Sequence, residues 1–272
     1  MKKILCPTDF SDAAHTAIAY AAKLAQAING DLTLLHVESM YDFTPAELIA
    51  GKQITVAPIV DQLEAQCREV TKSFRISCYA IVEPTFKRLS AIIQEKSTHY
   101  DLIVMGTDGA DDLYQFFNGS NAYNAMVESR IPMLIVPNGY IYNELKSIVL
   151  AFDYLRKGYM PVNVMAPFIR TLKSSLTILQ VQEESYSIKE EEELKDTQEI
   201  LKTIYGNSLP FSFDAIHAAD IAPALNSYML RHQADALILC SEHRGFIARL
   251  FHKSVIKNIA AICQYPVMIF HT

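Results

Sequence analysis

The sequence lacks the features that mark several classes of protein. No apolar run approaches the ~18 residues that a membrane-spanning helix needs, and the opening stretch reaches Pro7 and Asp9 before a signal-peptide core could form. There is no stripe of lysine and arginine with interleaved aromatic residues, and the formal net charge is -6. We therefore expect a cytoplasmic protein that binds neither a membrane nor nucleic acid.

The signatures of several enzyme classes are also missing. The sequence has no Gly-x-Ser-x-Gly nucleophile elbow, no Gly-x4-Gly-Lys-Ser/Thr phosphate loop and no pair of histidines at metal-ligand spacing. The five cysteines are an odd number without a Cys-x2-Cys pair, which is typical of buried thiols in a reducing compartment. These absences predict a protein that is not an enzyme, without catalytic residues or metal ligands.

What the sequence does contain is an alternation of strand-like and helix-like segments. Half of the 272 residues are apolar, which is enough to bury one large core or two smaller ones. The stripe from Ala14 to Ile28 has helical spacing, and either Ser11 or Asp12 can cap its start. Apolar runs suited to buried parallel strands are KILCPTD, DLTLLHVES, RISCYAIVEP, DLIVMGT and PMLIVP. This order predicts a parallel α/β sheet.

The order of these segments repeats in the second half of the chain. SIVLAFDY resembles KILCPTDF and SLTILQVQ resembles DLTLLHVE, with residue 147 aligned to residue 3 and residue 175 to residue 31. Further on, ADALILCS matches YDLIVMGT and QYPVMIFH matches RIPMLIVP. A tandem duplication accounts for matches in the same order. The sequence therefore predicts two doubly wound domains with open parallel five-stranded sheets, over residues 1–140 and 141–272.

A loop with patterned glycines follows the fourth predicted strand. Residues 106–120 read GTDGADDLYQFFNGS, with the spacing Gly-x2-Gly-x9-Gly-Ser. Glycines let a backbone approach a phosphate closely, and Gly119 precedes a predicted helix whose free N–H groups favour an anion. Asp9 and Val37 belong to the same edge, because ligands of open parallel sheets bind beyond the carboxyl ends of the strands. Asp9 either accepts hydrogen bonds from ribose hydroxyls or caps the helix that follows it, and both interpretations stay open here.

Taken together, these stretches resemble the universal stress protein family in its tandem form. The family's order is matched by PTDFSD after the first strand, LLHVES at the second, GTDG and NGS around the loop, and IPMLIVP as the last strand. The resemblance covers the whole chain and implies two domains of the adenine nucleotide α-hydrolase-like fold. The Gly-x2-Gly-x9-Gly-Ser pattern is the family's mark for members that bind ATP.

The resemblance implies a site for ATP, or for AMP or ADP, in the N-terminal domain. It places the ribose against Asp9 and the adenine against Val37. The residues implied to line this site are Pro7, Thr8, Asp9, Val37, Met105, Gly106, Gly109, Gly119, Ser120 and Asn121. The resemblance also implies that the two halves pack as an intrachain pseudo-dimer along their last strands, and that the chain forms a homodimer.

The glycine loop departs from the family pattern because it contains three aspartates, Asp108, Asp111 and Asp112. Carboxylates near a triphosphate repel it, unless they point to solvent or a divalent cation bridges them to the phosphates. Two interpretations follow, a solvated acidic face or a site completed by Mg²⁺.

The second copy departs further, because it has lost the glycines of the loop. The alignment places Cys240, His243 and Lys253 where the first copy has glycine. Side chains at these positions fill the space that a phosphate needs, so we predict a degenerate loop without family-type ATP binding in the C-terminal domain.

The leading hypothesis is a cytoplasmic stress-response or regulatory protein that binds an adenine nucleotide at one N-terminal site. The alternative is a nucleotide-free interaction module, in which the aspartate-rich loop faces an unidentified protein partner. A third hypothesis, slow ATP hydrolysis or self-phosphorylation, has less support because no base is assigned.

Overall fold

The computed structural model describes most of the chain, namely residues 2–40, 56–96, 98–108, 131–152, 162–182, 188–206, 209–241 and 264–271. Contacts within the structure group these residues into two units, one ending at Tyr142 and one beginning at Asn143. In the described part of the chain, no helix combines the length and apolarity of a membrane span.

The first unit is a five-stranded parallel sheet with helices between the strands. Its elements are β1 (Lys3–Pro7), α1 (Asp12–Ile28), β2 (Asp31–Ser39), α2 (Ala57–Phe74), β3 (Cys78–Thr85), α3 (Leu89–Lys96), β4 (Leu102–Thr107) and β5 (Met133–Pro137). The strand order is β3-β2-β1-β4-β5, and every pairing is parallel. The order reverses between β1 and β4, which makes their carboxyl ends the switch point where such sheets bind ligands.

The second unit repeats this arrangement. Its elements are β6 (Ser147–Ala151), α4 (Val162–Leu172), β7 (Ser175–Gln182), α5 (Ile188–Tyr205), β8 (Phe211–His217), α6 (Ile221–Arg231), β9 (Ala236–Ser241) and β10 (Val267–His271). The order β10-β9-β6-β7-β8 is again fully parallel, with its reversal between β6 and β9. The predicted fold class, two doubly wound five-stranded sheets in tandem, is confirmed.

Capping residues in the sequence set the start and the end of α1. Ser11 is the cap, because its side chain accepts a hydrogen bond from the Ala14 N–H at 3.2 Å, and α1 therefore starts at Asp12. The carboxylate of Asp12 suits the positive end of the helix dipole. The helix ends at Ile28, and its C-cap Asn29 adopts the left-handed conformation with φ of 52°. Its buried face consists largely of alanine, which lets the helix lie close to the sheet.

One structural device occurs in both units, and we call it the aspartate clasp. The Oδ2 atom of Asp101 accepts hydrogen bonds from the backbone N–H groups of Lys2 and Lys3, at 2.6 and 3.0 Å. In the second unit, Oδ2 of Asp235 accepts bonds from the two equivalent N–H groups at the start of β6, at 2.9 and 2.7 Å. The clasp fixes the first strand of each unit to the end of the helix-to-strand connection before β4 or β9. The duplication is thus visible in hydrogen bonds as well as in sequence.

Two of the described cysteines lie in the core of the strands. Cys6 is the penultimate residue of β1 and Cys240 that of β9, and both are buried free thiols. Burial raises the pKa of the Cys6 thiol well above its ordinary value, so the reactive thiolate is scarce. Cys6 is therefore an inert core residue.

Candidate functional site

The strand ends at the switch point bring together six of the ten predicted site residues. Parallel pairing places Pro7 opposite Leu35 and Leu5 opposite Ile103, so β1, β2 and β4 end at one edge of the sheet. The described members of the predicted set are Pro7, Thr8, Asp9, Val37, Met105 and Gly106. The others, Gly109, Gly119, Ser120 and Asn121, lie outside the described residues.

The β1–α1 turn, residues 8–11, is held by its own side chains. The Thr8 N–H donates to the Leu35 carbonyl at 2.8 Å, which extends the β1–β2 ladder by one bond. Thr8 Oγ1 then accepts from the Phe10 N–H at 3.1 Å, and Asp9 Oδ1 accepts from the Ser11 N–H at 3.0 Å. Phe10 adopts φ of 66°, a conformation that is uncommon for a bulky residue. The turn therefore depends on these contacts for its shape.

Asp9 is exposed at the end of this turn and is held in its charged form. Partial burial raises its pKa, but hydrogen bonds from Ser11 and the charge of His36 outweigh that effect, and the net pKa is lowered. An ionised carboxylate is a strong acceptor for hydroxyl donors. Because Ser11 caps α1, the interpretation of Asp9 as the helix cap is wrong.

Gly106 lies where the end of β4 meets the first turn of α1. A Cβ on Gly106 would lie 2.1 Å from the carbonyl oxygen of Ala13 and 2.4 Å from its carbon. No other residue fits without a backbone shift, so this glycine allows the helix and the strand to touch. The sequence pattern associated Gly106 with a phosphate, and the structure adds a role in packing α1 against β4.

The second unit differs at the matching position. Gly106 pairs with Val136 across β4 and β5, and Cys240 pairs with Phe270 in the same register of β9 and β10. This confirms the alignment of Cys240 with Gly106, and Cys240 carries a side chain where the first unit has none. His243, Lys253 and the rest of the second loop lie outside the described residues.

Apolar surface is available beside the turn on two neighbouring strands. Val37 on β2 is half-buried and faces Glu83 of β3 in the strand register, while Met105 on β4 is half-buried beside Gly106. Earlier in these strands, residues 32–35 of β2 and residues 102–104 of β4 are buried. Val37 and Met105 therefore present partly exposed apolar side chains at the carboxyl edge of the sheet.

His36 belongs to this site, although sequence analysis did not identify it. Its Nδ1 lies 2.9 Å from the Thr8 carbonyl oxygen, and its Nε2 lies 3.1 Å from Oε2 of Glu38. The imidazole also stacks on Phe10, with ring centroids 4.9 Å apart. We call these four residues the His36 clamp. The sequence did contain a signal for it. His36 and Glu38 lie two residues apart on a predicted strand, so they share one face, and they flank the predicted site residue Val37.

One of the three loop aspartates is described, and it is engaged. The Oδ1 atom of Asp108 accepts a hydrogen bond from Asn138 Nδ2 at 2.6 Å, and Asn138 Oδ1 accepts one from Thr16 Oγ1 at 3.1 Å. This network connects the ends of β4 and β5 to α1. Asp111 and Asp112 lie outside the described residues. Among the residues with described positions, no group of three or more His, Cys, Asp or Glu side chains could hold a metal ion.

Comparison with known proteins relates this site to one family. Residues 1–137 match the model of the Universal stress protein family. A universal stress protein from Methanocaldococcus jannaschii is 24% identical over 154 residues, which cover 50% of this chain and 94% of that protein.

Solved structures resemble the chain over nearly its whole length. A universal stress protein from Archaeoglobus fulgidus superimposes with a TM-score of 0.71 at 15% identity, over 99% of this chain and 98% of that one. The cytoplasmic domain of a prokaryotic cation chloride cotransporter gives a TM-score of 0.52 at 9% identity, over 99% and 95% of the two chains. Since proteins with different roles share the fold, the function has to be argued from the site.

Proposed function

Because the chain belongs to the universal stress protein family, we propose that it is a cytoplasmic stress-response or regulatory protein that binds ATP or another adenine nucleotide. We place one site in an N-terminal domain of residues 1–140 and none of the family type in a C-terminal domain of residues 141–272. The observation that carries the proposal is the β1–α1 turn, which presents a charged Asp9 at the switch point of the first sheet.

Each part of an adenine nucleoside has a chemical counterpart at this edge of the sheet. The Asp9 carboxylate suits the ribose hydroxyls, which donate hydrogen bonds to it. The apolar side chains of Val37 and Met105 suit the face of a base. The phosphates are assigned to Gly109, Gly119, Ser120 and Asn121 on the strength of the glycine pattern, with Mg²⁺ as a companion of the triphosphate.

Restriction to one site is supported by the second unit. The Phe152 N–H donates to the Leu179 carbonyl at 3.0 Å, which is the bond that Thr8 makes with Leu35 in the first unit. The backbone hydrogen bond is the same in both units, but phenylalanine has no hydroxyl that could accept a bond from a following N–H group, as Thr8 does. Together with Cys240 in place of Gly106, this difference supports a C-terminal domain that does not bind nucleotide in the family manner.

Binding without turnover is the activity we propose, because the sequence has no nucleophile elbow and no assigned base. Free buried thiols agree with the reducing cytoplasm.

The test is calorimetric titration of ATP, ADP and AMP into the whole protein, with and without Mg²⁺. We expect saturable binding at one site per chain. Asp9→Asn should weaken it by about 10-fold or more, because the amide still accepts the Ser11 N–H bond but lacks the charge that favours the ribose hydroxyls. Asp12→Asn is the matched control, since it removes the same charge nearby and should leave affinity within about twofold.

Absence of saturable binding up to millimolar nucleotide would overturn the proposal in favour of the interaction module. Equal affinity of wild type and Asp9→Asn would instead remove Asp9 from the site.

The proposal includes a homodimer, as the family resemblance implies. Light scattering after size-exclusion chromatography should give a mass about twice the 30.6 kDa of one chain. A mass of one chain at every concentration would contradict it.

A further inference from the structure

The His36 clamp has a feature that bears on the state of the imidazole. Both ring nitrogens face hydrogen-bond acceptors, the Thr8 carbonyl oxygen at 2.9 Å and the Glu38 carboxylate at 3.1 Å. A neutral imidazole has a single N–H and can donate to only one of them, whereas an imidazolium donates to both. Both hydrogen bonds can therefore form at once only when His36 is protonated.

Two acidic side chains face the ring from different elements. Glu38 pairs with it from the same strand, and the Asp9 carboxylate interacts with it from the β1–α1 turn. On the neighbouring strand β3, the residue in register with His36 is the uncharged Val82. The His36 side chain is only 13% exposed, so solvent screens these interactions less than at an open surface.

The second unit shows that the strand pairing does not need the clamp. Gln180 takes the place of His36, in the same register against β8, and Gln182 takes the place of Glu38. Both glutamines are buried, at 3% and 5% exposure, within an intact β7. The unit that has Thr8 and Gly106 at the site thus also has the ionisable pair, whereas an aspartate follows the first strand in both copies.

We propose that protonated His36 is a positioning residue for the β1–α1 turn, and that loss of its proton makes nucleotide affinity fall as pH rises. This inference rests on the proposed function, because the ligand that responds is the adenine nucleotide. His36 does not contact the nucleotide in this scheme. It acts through the Thr8 carbonyl and the Phe10 ring on the position of the Asp9 carboxylate.

The physical route runs through the turn. Loss of the proton leaves either the Thr8 carbonyl or Glu38 without a donor, and the ring turns toward the partner that it keeps. Phe10 stacks on that ring while holding φ of 66°, so a change in the ring is passed to a residue in an uncommon conformation. Asp9 lies between Thr8 and Phe10 and follows their movement.

Linkage sets the sign of the effect. If the bound state favours protonated His36, nucleotide binding takes up protons, and affinity decreases as pH increases through the titration of the ring. Between about pH 5 and pH 8, the range over which histidines usually titrate, we expect the affinity of wild type to fall at least about fivefold.

Two substitutions separate the two contacts of the ring. His36→Asn places an amide N–H near the position of Nδ1, and His36→Gln places one near the position of Nε2. We expect His36→Asn to lose the pH dependence and to bind nucleotide more tightly than His36→Gln, because it preserves the bond to Thr8 although it loses the stacking on Phe10. His36→Gln should bind more weakly at all pH values.

The measurement is calorimetry of AMP binding over this pH range, in two buffers with different ionisation enthalpies. The phosphate of AMP titrates equally for wild type and variants, so the difference between their profiles reports the imidazole. His99→Asn is the control, since the His99 ring contacts Thr98 before the amino end of β4, away from the β1–α1 turn, and its loss should leave the profile unchanged.

Identical pH profiles for wild type and both His36 variants would overturn the inference while leaving the proposed function in place. If no nucleotide binds at any pH, the proposed function fails, and NMR of the ligand-free protein decides on His36. The ring should then carry protons on both nitrogens at low pH, and the amide signals of residues 8–11 should shift with its titration. Amide signals that do not follow the ring would refute the positioning role.

Discussion

Gly106→Ala is expected to destabilise the first unit by about 3 kcal/mol or more and to abolish nucleotide binding. The new Cβ would lie 2.1 Å from a backbone oxygen of Ala13, and no side-chain rotation relieves a contact with backbone. The first turn of α1 has to move away from β4, and the β1–α1 turn moves with it because Ser11, the last residue of that turn, caps the helix. Urea unfolding measures the loss of stability, and calorimetry with AMP measures the loss of binding.

Cys240→Ala is the matched control for this substitution. Both substitutions introduce alanine, and Cys240 holds the matching register position of the second unit. There the backbone already accommodates a side chain. We expect a cost of about 1 kcal/mol from the lost thiol packing and no change in nucleotide affinity. A Gly106→Ala protein that is as stable as wild type would show that the close contact between α1 and β4 is not required.

Asp101→Ala is expected to cost about 2 kcal/mol near neutral pH. The aspartate clasp contains two charge-assisted bonds to backbone N–H groups, and we reduce their usual contribution because Asp101 is exposed. Burial raises the pKa of Asp101, but bonds from Lys2 and Lys3 and nearby positive charge outweigh burial and bring it below its ordinary value of 3.8. A lowered pKa means that the contribution is complete above the unfolded-state value and disappears as pH falls through the folded-state value.

The pH dependence gives the clasp a specific readout. The difference in unfolding free energy between wild type and Asp101→Ala should be largest near neutral pH and should shrink in acid below about pH 4. Asp101→Asn is the comparison, because it keeps an acceptor and removes the charge. Its cost should be smaller. A difference between wild type and Asp101→Ala that stays constant with pH would show that the charge of the clasp contributes nothing.

The fold followed from local sequence signals. Apolar runs bounded by capping residues determined the strands and the helices, and Ser11 lay within one residue of the true start of α1. The alignment of residue 147 with residue 3 agrees with registers and hydrogen bonds in both units. Such features depend on residues close together in sequence, so they can be predicted without the tertiary structure.

The candidate site was less accessible to sequence reasoning because its contacts join distant segments. His36 is separated from Thr8 by the whole of α1, and only the pairing of β1 with β2 brings them together. Gly106 was assigned to a phosphate, but its contact with Ala13 depends on how a helix lies against a strand 93 positions away. The hydrogen bond between Asp108 and Asn138 likewise depends on the pairing of β4 with β5.

The aspartate clasp also explains how two copies of one domain can diverge in sequence and keep the same fold. Its donors are main-chain N–H groups, which every residue except proline supplies, so the clasp restricts the identity of the aspartate and little else. The first copy has Lys2 and Lys3 at those positions and the second has Lys146 and Ser147, with the same bonds. Selection on the fold is thereby separated from selection on the ligand. A duplicate can exchange its threonine, histidine and glycine for other residues and still inherit a stable sheet.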